Sequence, residues 1–98
     1  MQFRQGDVFI VRIDTLPSGA VPVNGPVILA DGEATGHAHR IKSRSAKMFT
    51  NGGRRFVRLG KPADVVHEEH GAINLAAGVY EVRRQVEYTP GAIRNVAD

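Results

Sequence analysis

Turn signals recur every few residues in this chain, and between them the apolar residues alternate with period two instead of 3.6. Asn24-Gly25 sits between Pro22 and Pro26. Asp31-Gly32, Asn51-Gly52-Gly53, Ala76-Ala77-Gly78 and Pro90-Gly91 mark further breaks. A backbone punctuated this often forms short strands joined by tight turns, which predicts an all-β fold, a small antiparallel barrel or sandwich.

The expected strands follow from β-branched and alternating runs. Val8–Ile13 is apolar on both faces, Val21–Val23 is an edge piece between prolines, and Val27–Ala30 precedes Thr35–Ile41. Lys47–Thr50 and Arg54–Leu59 flank a glycine hairpin turn. Val65–His70 and Ala72–Leu75 are short extended pieces bent at Gly71. Val79–Tyr88 is the longest strand, with Tyr80, Val82, Arg84, Val86 and Tyr88 inward and Glu81, Arg83, Gln85 and Glu87 on a wet face. Ala92–Asp98 is left as a short C-terminal tail that covers a sheet edge. Residues 1–98 form one domain, because 98 residues leave no room for a second core.

All four histidines fall in two tight groups, His37-Ala38-His39 and His67-Glu68-Glu69-His70. On a strand, residues i and i+2 project to the same side about 6.5–7 Å apart, so His37 and His39 make a natural chelate. The second group leaves two arrangements open. An extended backbone puts His67 with Glu69, or His70 with Glu68, on one face; a turn at Glu68-Glu69 lets His67 and His70 converge. The candidate metal ligands are therefore His37, His39, His67 and His70, with Glu68 and Glu69 as spare carboxylates for general-base catalysis. Nitrogen and oxygen donors without sulfur suit a divalent transition metal: Zn, Mn, Fe, Ni or Cu.

The absence of cysteine excludes disulfides, thiolate ligands and thiol catalysis, and it favours a cytoplasmic protein. The start of the chain lacks a basic segment followed by an apolar run, and no stretch reaches membrane-spanning length, so no membrane partner is expected. With six aromatics and no Trp the core must be thin and built from Val, Ile and Leu, which favours a homodimer or a stabilising metal.

The run Gly32-Glu33-Ala34-Thr35-Gly36-His37-Ala38-His39 resembles the first motif of the cupin superfamily, and Leu75–Val82 resembles the stretch near the second. The resemblance implies a cupin-like double-sheet barrel in which His37 and His39 are ligands and His67 or His70 is the third. Cupins place a glutamate a few residues after the histidine pair; here no acid follows His39 until Asp64, so Glu68 or Glu69 would substitute. The chain also resembles small uncharacterised bacterial or phage β-proteins that open on a Gln-Gly-Asp-Val strand.

Net charge is +3, and the basic excess is concentrated between Glu33 and Asp64, a stretch that contains no acid. Arg40, Arg54 and Arg55 are the candidate substrate-binding residues, selecting an anionic small molecule or nucleic acid. Two functions follow. The first is a small metal-binding β-barrel, an enzyme on an anionic substrate in its catalytic form. The second is a basic β-module that grips nucleic acid or a protein through Lys42 to Lys61, with structural histidines. No nucleophile motif accompanies the hydroxyl residues.

Overall fold

The computed structural model describes residues 1–31, 37–84, 86–89 and 92–95. Its strands are β1 (Gln2–Gln5), β2 (Val8–Ile13), β3 (Val21–Val23), β4 (Val27–Asp31), β5 (Ala38–Ile41) and β6 (Ala46–Asn51). They continue with β7 (Arg54–Leu59), β8 (Ala63–Val66), β9 (Ile73–Leu75), β10 (Gly78–Arg84), β11 (Val86–Thr89) and β12 (Ala92–Asn95). No helix occurs among the described residues. The fold is all-β and antiparallel, as the period-two pattern requires.

A six-stranded sheet runs β1-β2-β10-β7-β6-β3, and a four-stranded sheet runs β4-β5-β8-β9. The barrel alternative is corrected here: among the described residues neither sheet closes, and β1, β3, β4 and β9 remain edges. Both sheets supply one hydrophobic cluster. Val8, Ile10, Val57, Leu59, Tyr80 and Val82 come from the first, and Leu29, Ile41, Val65 and Leu75 from the second. Each such aliphatic side chain contributes about 1.5–3 kcal/mol on burial. That shared core holds the sheets together and fixes their register.

The hairpin between β6 and β7 forms as the sequence predicts. Asn51 pairs with Arg54, and Gly52 and Gly53 have φ of 58° and 86°. Both central residues at positive φ make the tight turn whose twist matches its strands, which explains two consecutive glycines.

Several expected elements change. The strand expected over Thr35–Ile41 begins at Ala38, and residues 32–36, which carry most of the cupin-like motif, lie outside the described residues. The strand expected over Val79–Tyr88 ends at Arg84. Its neighbours run out there, since β2 supplies its last partner at Val8 and β7 at Arg55. The chain beyond pairs locally: Val86–Thr89 with Ala92–Asn95, so the expected tail supplies a hairpin strand. The strand expected over Val65–His70 stops at Val66, freeing His67–His70 to bend. The strand Gln2–Gln5 was not anticipated, and it positions the site described next.

Candidate functional site: a histidine cluster around a buried carboxylate

The β1–β2 turn, β5 and the loop between β8 and β9 meet at one place. His39 on β5 is fully buried. The His67 ring centroid lies 4.2 Å from that of His39, 4.6 Å from His70 and 5.6 Å from His37; His39 and His70 are 5.9 Å apart. Of the two arrangements open for the second group, the turning backbone is the one adopted. His67 is the hub. Rings bound to one ion would have centroids roughly 4.5–5.5 Å apart, given metal–nitrogen bonds near 2.1 Å.

Below the rings lies the Gln5-Gly6-Asp7 turn between β1 and β2. Gln5 is buried, and its amide nitrogen donates to the carbonyls of Val65 (3.0 Å) and Gly71 (2.8 Å). Those two acceptors fix the amide's orientation, so Gln5 Oε1 must accept from His39 Nδ1, 2.8 Å away. The network thus assigns the proton to Nδ1 and directs His39 Nε2 toward Asp7 Oδ1 at 3.7 Å. Asp7 is 5% exposed, and its Oδ1 has no hydrogen-bond partner, while Oδ2 accepts from Arg84 Nε at 2.9 Å. Gly6 has φ +60°, and a Cβ there would stand 2.6 Å from His70 Nε2. Only glycine lets the turn pass this close under the ring.

The remaining site residues sit nearer solvent. His37 is 28% exposed and its Nδ1 lies 3.0 Å from Glu69 Oε1. The Glu69 backbone N–H donates to His67 Nδ1 at 3.0 Å. A neutral His67 therefore carries its proton on Nε2, a buried atom without a hydrogen-bond partner. Glu68 accepts from the Ala38 N–H at 3.2 Å and lies 3.5 Å from Arg40. Desolvation raises its pKa, but the backbone donors, Arg40 and His37 outweigh that, and the carboxyl is held below its ordinary value. Glu68 thus clamps the histidine loop to β5. As the structure stands, no group of three or more His, Asp or Glu donors among the described residues is disposed to hold a metal ion.

The candidate substrate-binding arginines separate. Arg40 stays beside Glu68, next to a hollow of about 190 Å³ lined also by Ala38, Val66 and His67. Arg54 makes a two-pronged bond to Glu81, at 2.9 and 3.1 Å. Glu81 is buried, contrary to the wet face expected for it; its bond to Arg54, then Arg83, holds its pKa low against desolvation. Arg55 donates to the carbonyls of Ile28 and Leu29, both at 2.6 Å. These belong to a bulge in β4, where the register slips between Ile28 and Ala30 and frees backbone acceptors.

The sequence reading missed Asp7, Gln5 and Gly6. The available signal was a buried-strand start preceded by an amide, a glycine and an acid. Arg84, expected on the inward face of its strand, pairs with Asp7.

Among family models, one described as Domain of unknown function (DUF8820) matches residues 4–85. Comparison with curated proteins and with solved structures gives no match. Among the described residues no helix is long and apolar enough to cross a membrane.

Proposed function

The chain belongs to the DUF8820 family, a domain of unknown function, and we propose from its own geometry that it is a small metal-binding β-protein. The observation that carries this reading is the approach of His39 Nε2 to Asp7 Oδ1. With the His39 proton on Nδ1, two electron-pair donors face each other at 3.7 Å inside the protein. Such a pair repels unless a cation lies between them. The separation is long for a hydrogen bond and close to the roughly 3.4 Å between two ligands of a tetrahedral ion. Gln5 behind His39 is the kind of outer partner that orients a ligating imidazole.

In this reading His39 and Asp7 are the fixed ligands, and His67 and His70 complete the shell from the loop. Ligation by His67 Nε2 moves its proton and releases the Glu69 amide, so metal uptake rearranges residues 67–70. His37 and Glu69 stand at the rim. In a hydrolytic form of the protein Glu69 would be the base for a metal-activated water, because the Glu68 carboxylate is engaged by Ala38 and Arg40. The donor set accommodates Zn, Mn, Fe, Ni or Cu. Within this proposal the two sheets form an open, cupin-like sandwich with the histidines at one end.

The test is elemental analysis of protein made without a histidine tag, alongside His39→Ala, Asp7→Asn and His37→Ala. We expect about one equivalent of metal in the wild type, loss in the first two variants, and retention in the third. Background metal in the wild type after growth with each candidate ion would sink the proposal.

The alternative, a nucleic-acid-binding module, draws support from one feature. Gly60 N–H bonds to Ser45 O at 3.0 Å, tying two loops that carry Lys42, Arg44 and Lys61. Salt-sensitive RNA or DNA binding abolished by K42A/R44A, in protein without metal, would favour it.

A further inference from the structure

The chain crosses between the two sheets at two neighbouring places. Asn24-Gly25-Pro26 carries it from β3 in the six-stranded sheet to β4 in the four-stranded one, and residues 42–45 carry it back from β5 to β6. Between these crossings lies a hollow of about 590 Å³, walled by Pro26, Ile28, Ile41 and Ala46, with Lys42 and Arg44 at its rim. We infer that this hollow binds a small aliphatic carboxylate, its hydrocarbon tail on the walls and its head taken by the two cations.

Both crossings are fastened. Ala46 N–H donates to Ser43 O at 3.2 Å, Ser45 N–H to Ser43 Oγ at 3.2 Å and Gly60 N–H to Ser45 O at 3.0 Å. Lys47 Nζ donates to Asn24 Oδ1 at 3.4 Å, tying the first crossing to β6. The hollow is thus formed before any ligand arrives, which lowers the ordering cost of binding. Its volume falls within the roughly 300–1,000 Å³ common for small-molecule sites.

The walls select the body of the ligand. Ile28 pairs with Arg40 across β4 and β5, stands outside the shared core that takes its neighbours Val27 and Leu29, and is only half-buried. An aliphatic side chain left partly in water gains from a hydrocarbon partner. Among the described residues no aromatic ring lines the hollow, so a nucleobase finds no plate to stack on.

Charge selects the head. Lys42 and Arg44 are exposed, and neither forms an ion pair with a described carboxylate, whereas Arg40 is engaged by Glu68. Among the described residues the lining holds no acid to repel an anion. On the other side of residues 42–45 a hollow of about 600 Å³ also includes Arg44. There Arg58 lies over the Phe49 ring, 5.0 Å from its centroid, and covers the apolar surface that a tail would need. The carboxylate site shares no described residue with the histidine cluster or Asp7, so it stands without a metal.

The test titrates the full chain, stripped with EDTA and desalted, with butanoate, hexanoate, octanoate, octan-1-ol and octylamine, followed by calorimetry and amide NMR. Saturable shifts at Ile28, Ile41, Lys42 and Ala46 are expected, with octanoate the tightest ligand. Each methylene added to the carboxylate should tighten binding about twofold to fourfold, the upper figure for full burial. Lys42→Gln and Arg44→Gln, both at exposed positions, should each weaken octanoate about threefold, as for ion pairs near water. Several results overturn the inference: affinity independent of chain length, octan-1-ol or octylamine binding as tightly as octanoate, or affinity unchanged in K42Q/R44Q. Shifts confined to Phe49, Arg58 and Leu59 would also overturn it, by placing the ligand in the other hollow. So would an oligonucleotide that displaces octanoate with a steep salt dependence, because the two cations then serve nucleic acid. Absence of metal in the elemental analysis would end the metal proposal alone.

Discussion

Replacing Gln5 by leucine tests the arrangement on which the histidine site depends. The side chain is 3% exposed and makes three hydrogen bonds, to Val65 O, Gly71 O and His39 Nδ1. Leucine has similar bulk but satisfies none of them. Each buried group left without its partner costs about 1–3 kcal/mol, so three such groups give a total of about 3–9 kcal/mol. A domain of this size has about 5–15 kcal/mol in all, and each kcal/mol moves the melting temperature by about 4–8 °C. Thermal and urea unfolding followed by far-UV circular dichroism should therefore show a fall of about 15 °C or more with an unchanged urea slope. Gln5→Glu is the sharper control, because it keeps an acceptor for His39 and turns oxygen lone pairs toward two carbonyls. It should also destabilise, although it differs by one atom. A loss below about 1 kcal/mol in Gln5→Leu, or wild-type stability in Gln5→Glu, would refute the amide orientation and with it the proton assignment at His39.

Other perturbations address other parts of the molecule. Gly6→Ala should disrupt the site, because its Cβ meets His70 Nε2 at 2.6 Å and φ is +60°; the His70 ring resonances should move, and any bound metal should be released. Tyr80→Phe removes the bond from the hydroxyl to Ala76 O at 2.7 Å and should cost about 1 kcal/mol in urea unfolding. Glu81 has a folded pKa depressed by Arg54 and Arg83, so its contribution is present above the unfolded carboxylate value, about 4.3, and is lost as pH falls through the folded value. Glu81→Gln should accordingly reduce stability at pH 7 and flatten the acid limb of a pH–stability curve; an unchanged acid limb would contradict the pairing. Metal uptake should shift the Glu69 amide resonance strongly, because His67 gives up that bond.

What the sequence disclosed depended on whether the information was local. The β6–β7 hairpin could be read from Asn51-Gly52-Gly53 because a turn's dihedral demands are met by its own residues. Val8–Ile13 and Arg54–Leu59 were visible because buried strands carry β-branched and apolar residues wherever they pair. Glu81 is the counterexample. Alternation assigns it to water, yet Arg54 on the neighbouring strand and Arg83 two residues along supply the partners that permit a buried carboxylate. The end of β10 at Arg84 was equally hidden, since it reflects where β2 and β7 stop.

The candidate site divides along the same line. Clustered histidines are a local signal, and the rings do gather. Asp7 completes the arrangement from a distant part of the chain, brought there by β1 pairing with β2 and β2 pairing with β10. Nothing near Asp7 in sequence distinguishes it from an ordinary turn aspartate. Its burial does, together with an Arg84 bond on one oxygen and His39 facing the other. A turn aspartate normally stays in water, where its charge is solvated without cost. One drawn into the interior is held there at an energetic cost, which Arg84 offsets at one oxygen; in the proposed metal-binding reading a cation between Asp7 and His39 offsets it at the other. A proton would give His39 a second N–H and a short contact to Asp7; the 3.7 Å separation suits a larger ion. Asp7→Asn separates the cases: an amide can donate to His39 Nε2 and replace the proton, but it is a weak ligand for a metal. Retained stability with lost metal is the expected pairing, and retained metal would show that the carboxylate has no part in holding it.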